Sequence, residues 1–283
     1  MDVLRRELTL FFIAMGFFTR IPMPAWVKVD GDNLNKASRY FGLVGILVGA
    51  ISALVYELSL SVLPTSISII LAMIAGVAVT GAFHEDGLAD TADGFGGGWA
   101  VADKLKIMKD SRIGTYGAVS LLLSMILKYV LLLELALYDP ELVIVALILG
   151  HCLSRVLAAS IIFTDTYVSD AYASATSVSE GVSESASAGV SAGESKEKAS
   201  KSKPLAESQT TNELAILLVT GVLALWLSGL GSAILIVVSL FLVRWLLVTV
   251  FRRQIGGYTG DTLGAAQQVS ELVFYMLLLA SLA

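Results

Sequence analysis

The stretch from Gly81 to Gly98, GAFHEDGLADTADGFGGG, concentrates the groups in this chain that could do chemistry. His84, Glu85, Asp86, Asp90 and Asp93 all fall in it. On a helix turning about 100° per residue, Asp86, Asp90 and Asp93 lie within roughly 60° of one another, and Glu85 flanks them about 80° from Asp93. The stripe covers about 10 Å of helix axis. Like charges on one face repel and weaken a helix that has no countercharge. Oxygen donors without a thiolate or imidazole set select a hard divalent cation, Mg²⁺ or Mn²⁺. Mg²⁺ typically keeps waters and binds through few carboxylates plus substrate phosphates, which points to a diphosphate substrate. Gly94 and Gly96 to Gly98 are expected to end the helix and let a ligand approach the backbone. A solvated helix end or a structural calcium site would explain the acids less well, because neither calls for a one-sided stripe followed by a glycine run.

Cations that could hold phosphate recur elsewhere. In Lys109-Asp-Ser-Arg-Ile-Gly114, Lys109 and Arg112 can share a helix face, and Ser111 can donate a hydrogen bond. Lys104 and Lys106 read as ordinary charges flanking a membrane segment. His151 and Arg155 stand at i and i+4 inside an apolar run, and Arg244 lies inside another. Charges inside a membrane segment face a cavity or a partner by default. Lys128 and Glu134 lie deeper and are given no role. A last polar stretch, Gly256 to Gln268, brings Tyr258, Thr259, Asp261 and Gln267 and reads as a glycine-rich loop. Carboxylates for a metal and cations for phosphate suit nucleophilic displacement at a diphosphate.

These groups must be positioned by helices in lipid. The 283 residues are 56% hydrophobic and 15% charged, with a mean hydropathy of +0.79. Soluble domains carry about 25% charged residues. A net charge of −5 argues against a nucleic-acid partner. The single cysteine, Cys152, excludes a disulfide within the chain and a cysteine-rich zinc site. Seven apolar segments, at about 41–63, 66–83, 117–138, 141–163, 213–229, 232–251 and 268–283, approach the length of a bilayer span. The stretch Leu8 to Phe18 is short and is followed by Thr-Arg-Ile-Pro rather than a cleavage site, so it reads as a re-entrant or interfacial helix. The expected fold is therefore an all-α polytopic membrane protein, a single domain of about seven transmembrane helices plus that short N-terminal helix. The helix at 66–83 is expected to run on past the membrane surface and carry the acidic stripe. The tight connections at Pro64–Thr65, Asp139–Pro140 and Gly229–Gly231 hold no Lys or Arg, whereas the long connections hold all the basic loop residues. The positive-inside rule places the long loops, and the acidic stripe with them, in the cytoplasm. Residues 169–203 are Ser, Ala, Gly, Glu and Lys with almost no large apolar side chain, and are expected to form a flexible tether.

His84-Glu-Asp-Gly-Leu-Ala-Asp-Thr-Ala-Asp-Gly94 resembles the signature of the cobalamin synthase family, the adenosylcobinamide-GDP ribazoletransferases. Phe18-Thr-Arg-Ile-Pro22, Lys109 to Gly114 and Gly257 to Gln268 look like further blocks of that family in its order, so the resemblance covers nearly the whole chain. It implies an enzyme of the cell membrane that joins adenosylcobinamide-GDP to α-ribazole or its 5′-phosphate and releases GMP. Asp86, Asp90 and Asp93, with Glu85, would then hold Mg²⁺ or Mn²⁺. Arg20, Arg112 and Arg155 would take phosphate oxygens, with Lys109, Ser111, Tyr258, Thr259, Asp261 and Gln267 as further substrate contacts. Glu85, His84 and Asp261 are the candidate bases. The implied partners are the two small-molecule substrates and the bilayer, with other enzymes of the pathway or a second copy of the chain as further candidates. A CDP-alcohol phosphotransferase also uses an aspartate-rich helix, but Asp90 stands where its pattern has Arg. A transporter would place its ligands near mid-membrane, often with internal repeats.

Overall fold

A computed structural model describes residues 3–29, 31–168, 210–227 and 233–282. The expected tether at 169–203 lies outside the described residues. The described residues form eleven α-helices: α1 (Val3–Phe18), α2 (Gly31–Ala37), α3 (Phe41–Leu60), α4 (Thr65–Thr80), α5 (Phe83–Gly97), α6 (Val101–Met108), α7 (Thr115–Tyr138), α8 (Pro140–Thr164), α9 (Thr211–Leu227), α10 (Ala233–Ile255) and α11 (Gly260–Ala280). A 3₁₀ turn, Ser38–Tyr40, joins α2 to α3.

The protein is an all-α, multi-pass membrane protein. Five helices or helix pairs are individually long and apolar enough to cross a bilayer, and the bent pair α4–α5 makes up to six. Among the described residues, each of the seven expected segments is mostly helical. The fifth expected segment falls on α9, whose 17 residues leave it among the shorter apolar helices, so the count of seven stands as an expectation. The helix at 66–83 does not run on straight. It stops at Thr80, Gly81 and Ala82 both turn left-handed, and α5 leaves at 85° to α4. The acidic stripe therefore crosses the end of the bundle instead of projecting from it. Nor do Gly94 and Gly96 end α5, which continues to Gly97.

The central element is α8, on which every residue from Leu149 to Ile162 is buried. A helix apolar on all sides belongs inside a bundle, and α3, α7, α9, α10 and α11 pack around it. Its start is fixed locally: the Asp139 side chain caps it by accepting from Glu141 N at 2.9 Å, and Pro140 sits in the first turn.

The stretch expected as a glycine-rich loop, Gly256 to Gln268, is mostly helix. α10 continues to Ile255, and α11 begins at Gly260 because Thr259 and Thr262 form a reciprocal capping box. Asp261 to Gln268 thus occupy the first turns of α11. The ends of α8, α10 and α11 are tied together at one end of the bundle. Val168 N donates to Tyr258 O (2.8 Å), Tyr258 N donates to Thr166 O (3.0 Å) and Arg252 pairs with Asp165 (2.5 Å).

Candidate active site

Where α5 crosses α11, the two backbones nearly touch. A Cβ added at Gly87 would stand 2.8 Å from Asp261 O and 3.2 Å from Gly264 Cα. This contact brings Asp261 beside the acidic stripe: the Asp261, Asp86 and Asp93 charges all act on Asp90. Asp90 lies on α5, the arm that turns away from α4 at 85° and crosses the end of the bundle. Burial first, and then those three charges, push its carboxyl up to about 7. Lys109 lies within electrostatic reach of Asp261.

Below this crossing is a cavity of about 500 Å³. Asp86 and Asp261 line it, and Phe17, Phe18, Phe41, Ala158, Ala159 and Ile162 form much of its apolar wall. Arg155, His84 and Gln267 line it as well. The structure thus brings Asp86, Asp261, His84, Arg155 and Gln267 to one chamber, with Asp90 next to it.

Asp93 is differently employed. Its two carboxylate oxygens accept from Gly114 N (2.7 Å) and Gly117 N (2.8 Å), so it caps the start of α7 across a helix contact. Glu85 is turned toward α11, where Gln268 Nε2 donates to Glu85 Oε1 at 3.0 Å. Its Oε2 is buried with no hydrogen-bond partner among the described residues. His84 stacks on Phe18 (5.4 Å between centroids, 17° between planes). Burial first, then Arg155, hold its imidazole well below the usual histidine range. A neutral histidine so strongly held is a poor proton acceptor.

Several expected contacts stand away from the chamber. Arg112 is exposed and its guanidinium grips Asp110 of its own loop (2.6 Å), holding that carboxyl down at about 2. Ser111 is exposed. Arg20 is exposed and lies against Gly81, at the α4–α5 break. The Thr259 hydroxyl is used by the capping box. Tyr258 is buried against Tyr167 (5.6 Å). Lys104 reaches across to Gln254 Oε1 (2.5 Å) and ties α6 to α10. Arg244 is bound by Ser160 and Thr164 of α8.

Sequence reasoning gave Lys128 no role, but it belongs to a buried network behind the chamber. Lys128 pairs with Glu271 Oε1 (2.5 Å), to which Tyr275 OH also donates (2.7 Å). Gln267 Nε2 donates to Glu271 Oε2 (2.6 Å), and Gln267 Oε1 accepts from Gln268 Nε2 (3.0 Å). Arg155 Nη1 donates to His151 O (2.9 Å), and His151 Nδ1 is 3.6 Å from Glu271 Oε2. A chain of side chains therefore runs from Lys128 through Glu271, Gln267 and Gln268 to Glu85. The signal for it was Lys128 and Glu271, one charge of each sign in apolar helices, but which residues face each other is a tertiary fact.

Oxygen donors suit a hard cation. Among the described residues, however, no group of three or more His, Cys, Asp or Glu side chains is gathered closely enough to hold a metal ion. Asp86 on α5 and Asp261 on α11 line the same chamber, and Asp90 lies within electrostatic reach of both, so carboxylates from two helices share one space without forming a metal site by themselves.

A model of the cobalamin-5-phosphate synthase family matches residues 10–193 and 185–279. A protein of Shewanella woodyi is 62% identical over 279 residues, which are 99% of this chain and 98% of that one; it is named adenosylcobinamide-GDP ribazoletransferase. Proteins of the same name from Shewanella pealeana and Shewanella halifaxensis are 60% and 59% identical, each with 99% of this chain and 98% of the relative covered. The chain belongs to the cobalamin-5-phosphate synthase family. As such it is a transferase, and the chamber under the α5–α11 crossing is the part of it that gathers reactive groups. No solved structure matches the chain.

Proposed function

We propose that this member of the family joins α-ribazole, or its 5′-phosphate, to adenosylcobinamide-GDP and releases GMP, and that it needs Mg²⁺. The observation that carries this is the meeting of Asp86 and Asp90 on one helix with Asp261 on another, at the rim of a chamber of about 500 Å³. Burial first, and then the neighbouring Asp261, Asp86 and Asp93 charges, raise the Asp90 carboxyl, and a divalent cation would relieve the repulsion among them. When bound, Mg²⁺ would neutralise charge on the transferred phosphoryl and the leaving group.

The remaining steps belong to the chain's own residues. The ribose 3′-hydroxyl of the acceptor attacks the phosphorus bonded to the cobinamide. A phosphodiester bond forms, the bond to the outer phosphate of the GDP arm breaks, and GMP departs with the bonding electron pair. Of the three expected bases, Asp261 lines the chamber, Glu85 is held by Gln268, and His84 is kept neutral by its surroundings. Asp261 is therefore assigned the hydroxyl proton. Lys109, within electrostatic reach of Asp261, is assigned to phosphate oxygens. The long loops, and this site with them, are assigned to the cytoplasmic side of the cell membrane on the positive-inside pattern.

The test is GMP release by the purified protein given adenosylcobinamide-GDP and α-ribazole, with and without Mg²⁺, alongside Asp90→Ala. Mg²⁺-dependent GMP and a cobalamin product, both lost in the variant, are expected. Well-folded protein that forms no GMP would refute the reaction, and equal rates in a chelator would refute the metal.

A further inference from the structure

The reaction proposed above needs two partners of very different size, and the chamber has room for one of them. At about 500 Å³ it lies in the range of small-molecule sites. A corrinoid bearing a GDP arm is far too large for it, whereas a benzimidazole nucleoside is a compact planar ring system with one ribose. The wall chemistry agrees. Phe17, Phe18 and Phe41 present aromatic surface, Ala158, Ala159 and Ile162 keep the opposite side small and apolar, and Asp86 and Asp261 stand at the reactive edge.

Two polar side chains, Arg155 and His84, interrupt this lining. Arg155 is 2% exposed, and its Nε is buried without a hydrogen bond among the described residues. His84 is 3% exposed and stacks on Phe18, with its ring at the chamber wall. Buried polar groups are normally satisfied, and leaving them unpaired costs free energy. An acyl chain filling the chamber would leave the Arg155 Nε unpaired and offer the His84 ring no polar partner. A nucleoside brings hydroxyls, ring nitrogens and, in its phosphorylated form, an anion that Arg155 can bind.

We propose that this chamber is the acceptor subsite: it holds the benzimidazole nucleoside, or its 5′-phosphate, with the base against the phenylalanine wall, while the corrinoid part of the donor stays outside. Arg155 and His84 meet the polar atoms of the acceptor, and the ribose hydroxyl is left facing Asp86 and Asp261. The assignment rests on the transferase reading above.

The experiment fills the chamber from the α8 side with Ala159→Leu and, separately, with Ala158→Leu. Steady-state GMP release is measured while each substrate is varied in turn. One methylene in an apolar site shifts discrimination by roughly 10-fold or more. The KM for α-ribazole is therefore expected to rise at least about tenfold in one or both variants, with the KM for adenosylcobinamide-GDP unchanged. The unchanged donor KM shows that the variants fold. Titration of α-ribazole into Asp90→Ala protein without Mg²⁺, followed by benzimidazole fluorescence, is expected to show binding that Ala159→Leu abolishes. Arg155→Met, compared with α-ribazole and its 5′-phosphate, tells the nucleoside from the phosphate as the group Arg155 meets. Unchanged acceptor KM values, or equal rises for both substrates, would overturn the proposal while leaving the reaction standing. So would a co-purified lipid lost from Ala159→Leu with no α-ribazole binding. If wild-type protein releases no GMP, the reaction fails, but the fluorescence titration still decides the chamber.

Discussion

Replacing Gly87 by alanine probes the contact on which the site depends. The new Cβ would stand 2.8 Å from Asp261 O, 3.1 Å from Asp261 Cα and 3.2 Å from Gly264 Cα, all backbone atoms that cannot rotate away. Since carbon contacts relax at about 3.5–4.0 Å, α5 and α11 must separate by roughly 0.5–1 Å. Overpacking of this kind costs about 1–3 kcal/mol, while alanine for glycine inside a helix gains about 0.5–1 kcal/mol. The clash outweighs the propensity, and a net loss of about 1 kcal/mol is expected, a fall of a few degrees in Tm. The functional loss should be larger, because the separation moves Asp261 away from Asp86 and Asp90, and a misplacement of about 1 Å can cost on the order of 100-fold in rate. Gly264→Ala meets its neighbours only at 3.2 Å and should do less harm. Gly97→Ala, whose Cβ would find Ile107 Cδ1 at an ordinary 3.5 Å, is the control and should be neutral. GMP release and thermal unfolding in detergent are measured on all three. Wild-type turnover together with a raised Tm in Gly87→Ala would refute the reasoning, since it would mean the helices can part without disturbing the site.

Other expectations follow from the charges. In metal-free protein the folded state raises the Asp90 carboxyl from its ordinary 3.8 to about 7, so the folded state binds the extra proton. This group's contribution to stability is therefore complete below about 4 and is lost as pH climbs to about 7; Tm in a chelator should fall across that window, Asp90→Asn should flatten the fall, and a slope that survives in Asp90→Asn would count against it. Asp93→Asn should behave as a structural variant, losing about 1–3 kcal/mol as the cap on Gly114 N and Gly117 N is weakened, whereas Asp90→Asn should lose activity without losing fold. Circular dichroism melts beside turnover separate the two, and an inactive but fully stable Asp93→Asn would reassign that carboxylate to the chemistry. Glu271→Leu should cost about 3–5 kcal/mol by leaving Lys128 unpaired in the bundle; the double variant Lys128→Met/Glu271→Leu should recover much of this, and additive losses in the cycle would show that the pair is not coupled.

Much of this protein was legible because two signals in the sequence are strong. Lipid leaves no choice but helices for apolar runs of span length, so α3, α7, α8 and α10 could be placed from composition alone. The i, i+4, i+7 spacing likewise showed that Asp86, Asp90 and Asp93 share a helix. It could not show that Asp93 would turn to the amides at Gly114 and Gly117 while Asp86 faced a cavity, because both roles use the same residue type on the same face. Asp261 was read as part of a loop because Gly256, Gly257 and Gly260 look like loop residues. The capping box of Thr259 and Thr262 decided otherwise, and a Thr-x-x-Thr pair is a weaker sequence signal than Ser or Thr with Glu three residues on. The apolar lining of the chamber was invisible for a different reason. Phenylalanines in α1 and alanines in α8 look like any residues that face lipid or a neighbouring helix.

The break between α4 and α5 explains why the site exists at all. A straight continuation of α4 would carry Asp86 and Asp90 along the bundle axis into water, where no second helix could reach them. Gly81 (φ +66°) and Ala82 (φ +58°) instead turn the chain through 85° and lay α5 across the mouth of the bundle. Ala82 is the one non-glycine residue with positive φ among the described residues, a conformation that costs on the order of 1–3 kcal/mol. That strain is offset where α5 docks, through the Gly87–Gly264 approach at one end and the Asp93 cap on α7 at the other. The docked helix then closes one wall of the chamber with His84 and Asp86 and faces Asp261 with Asp90. Repulsion within the carboxylate cluster and strain at Ala82 both act to lift α5 off the bundle. A divalent cation shared between α5 and α11 would relieve the first and oppose the second, so substrate and metal binding should tighten the same contact that Gly87 makes close.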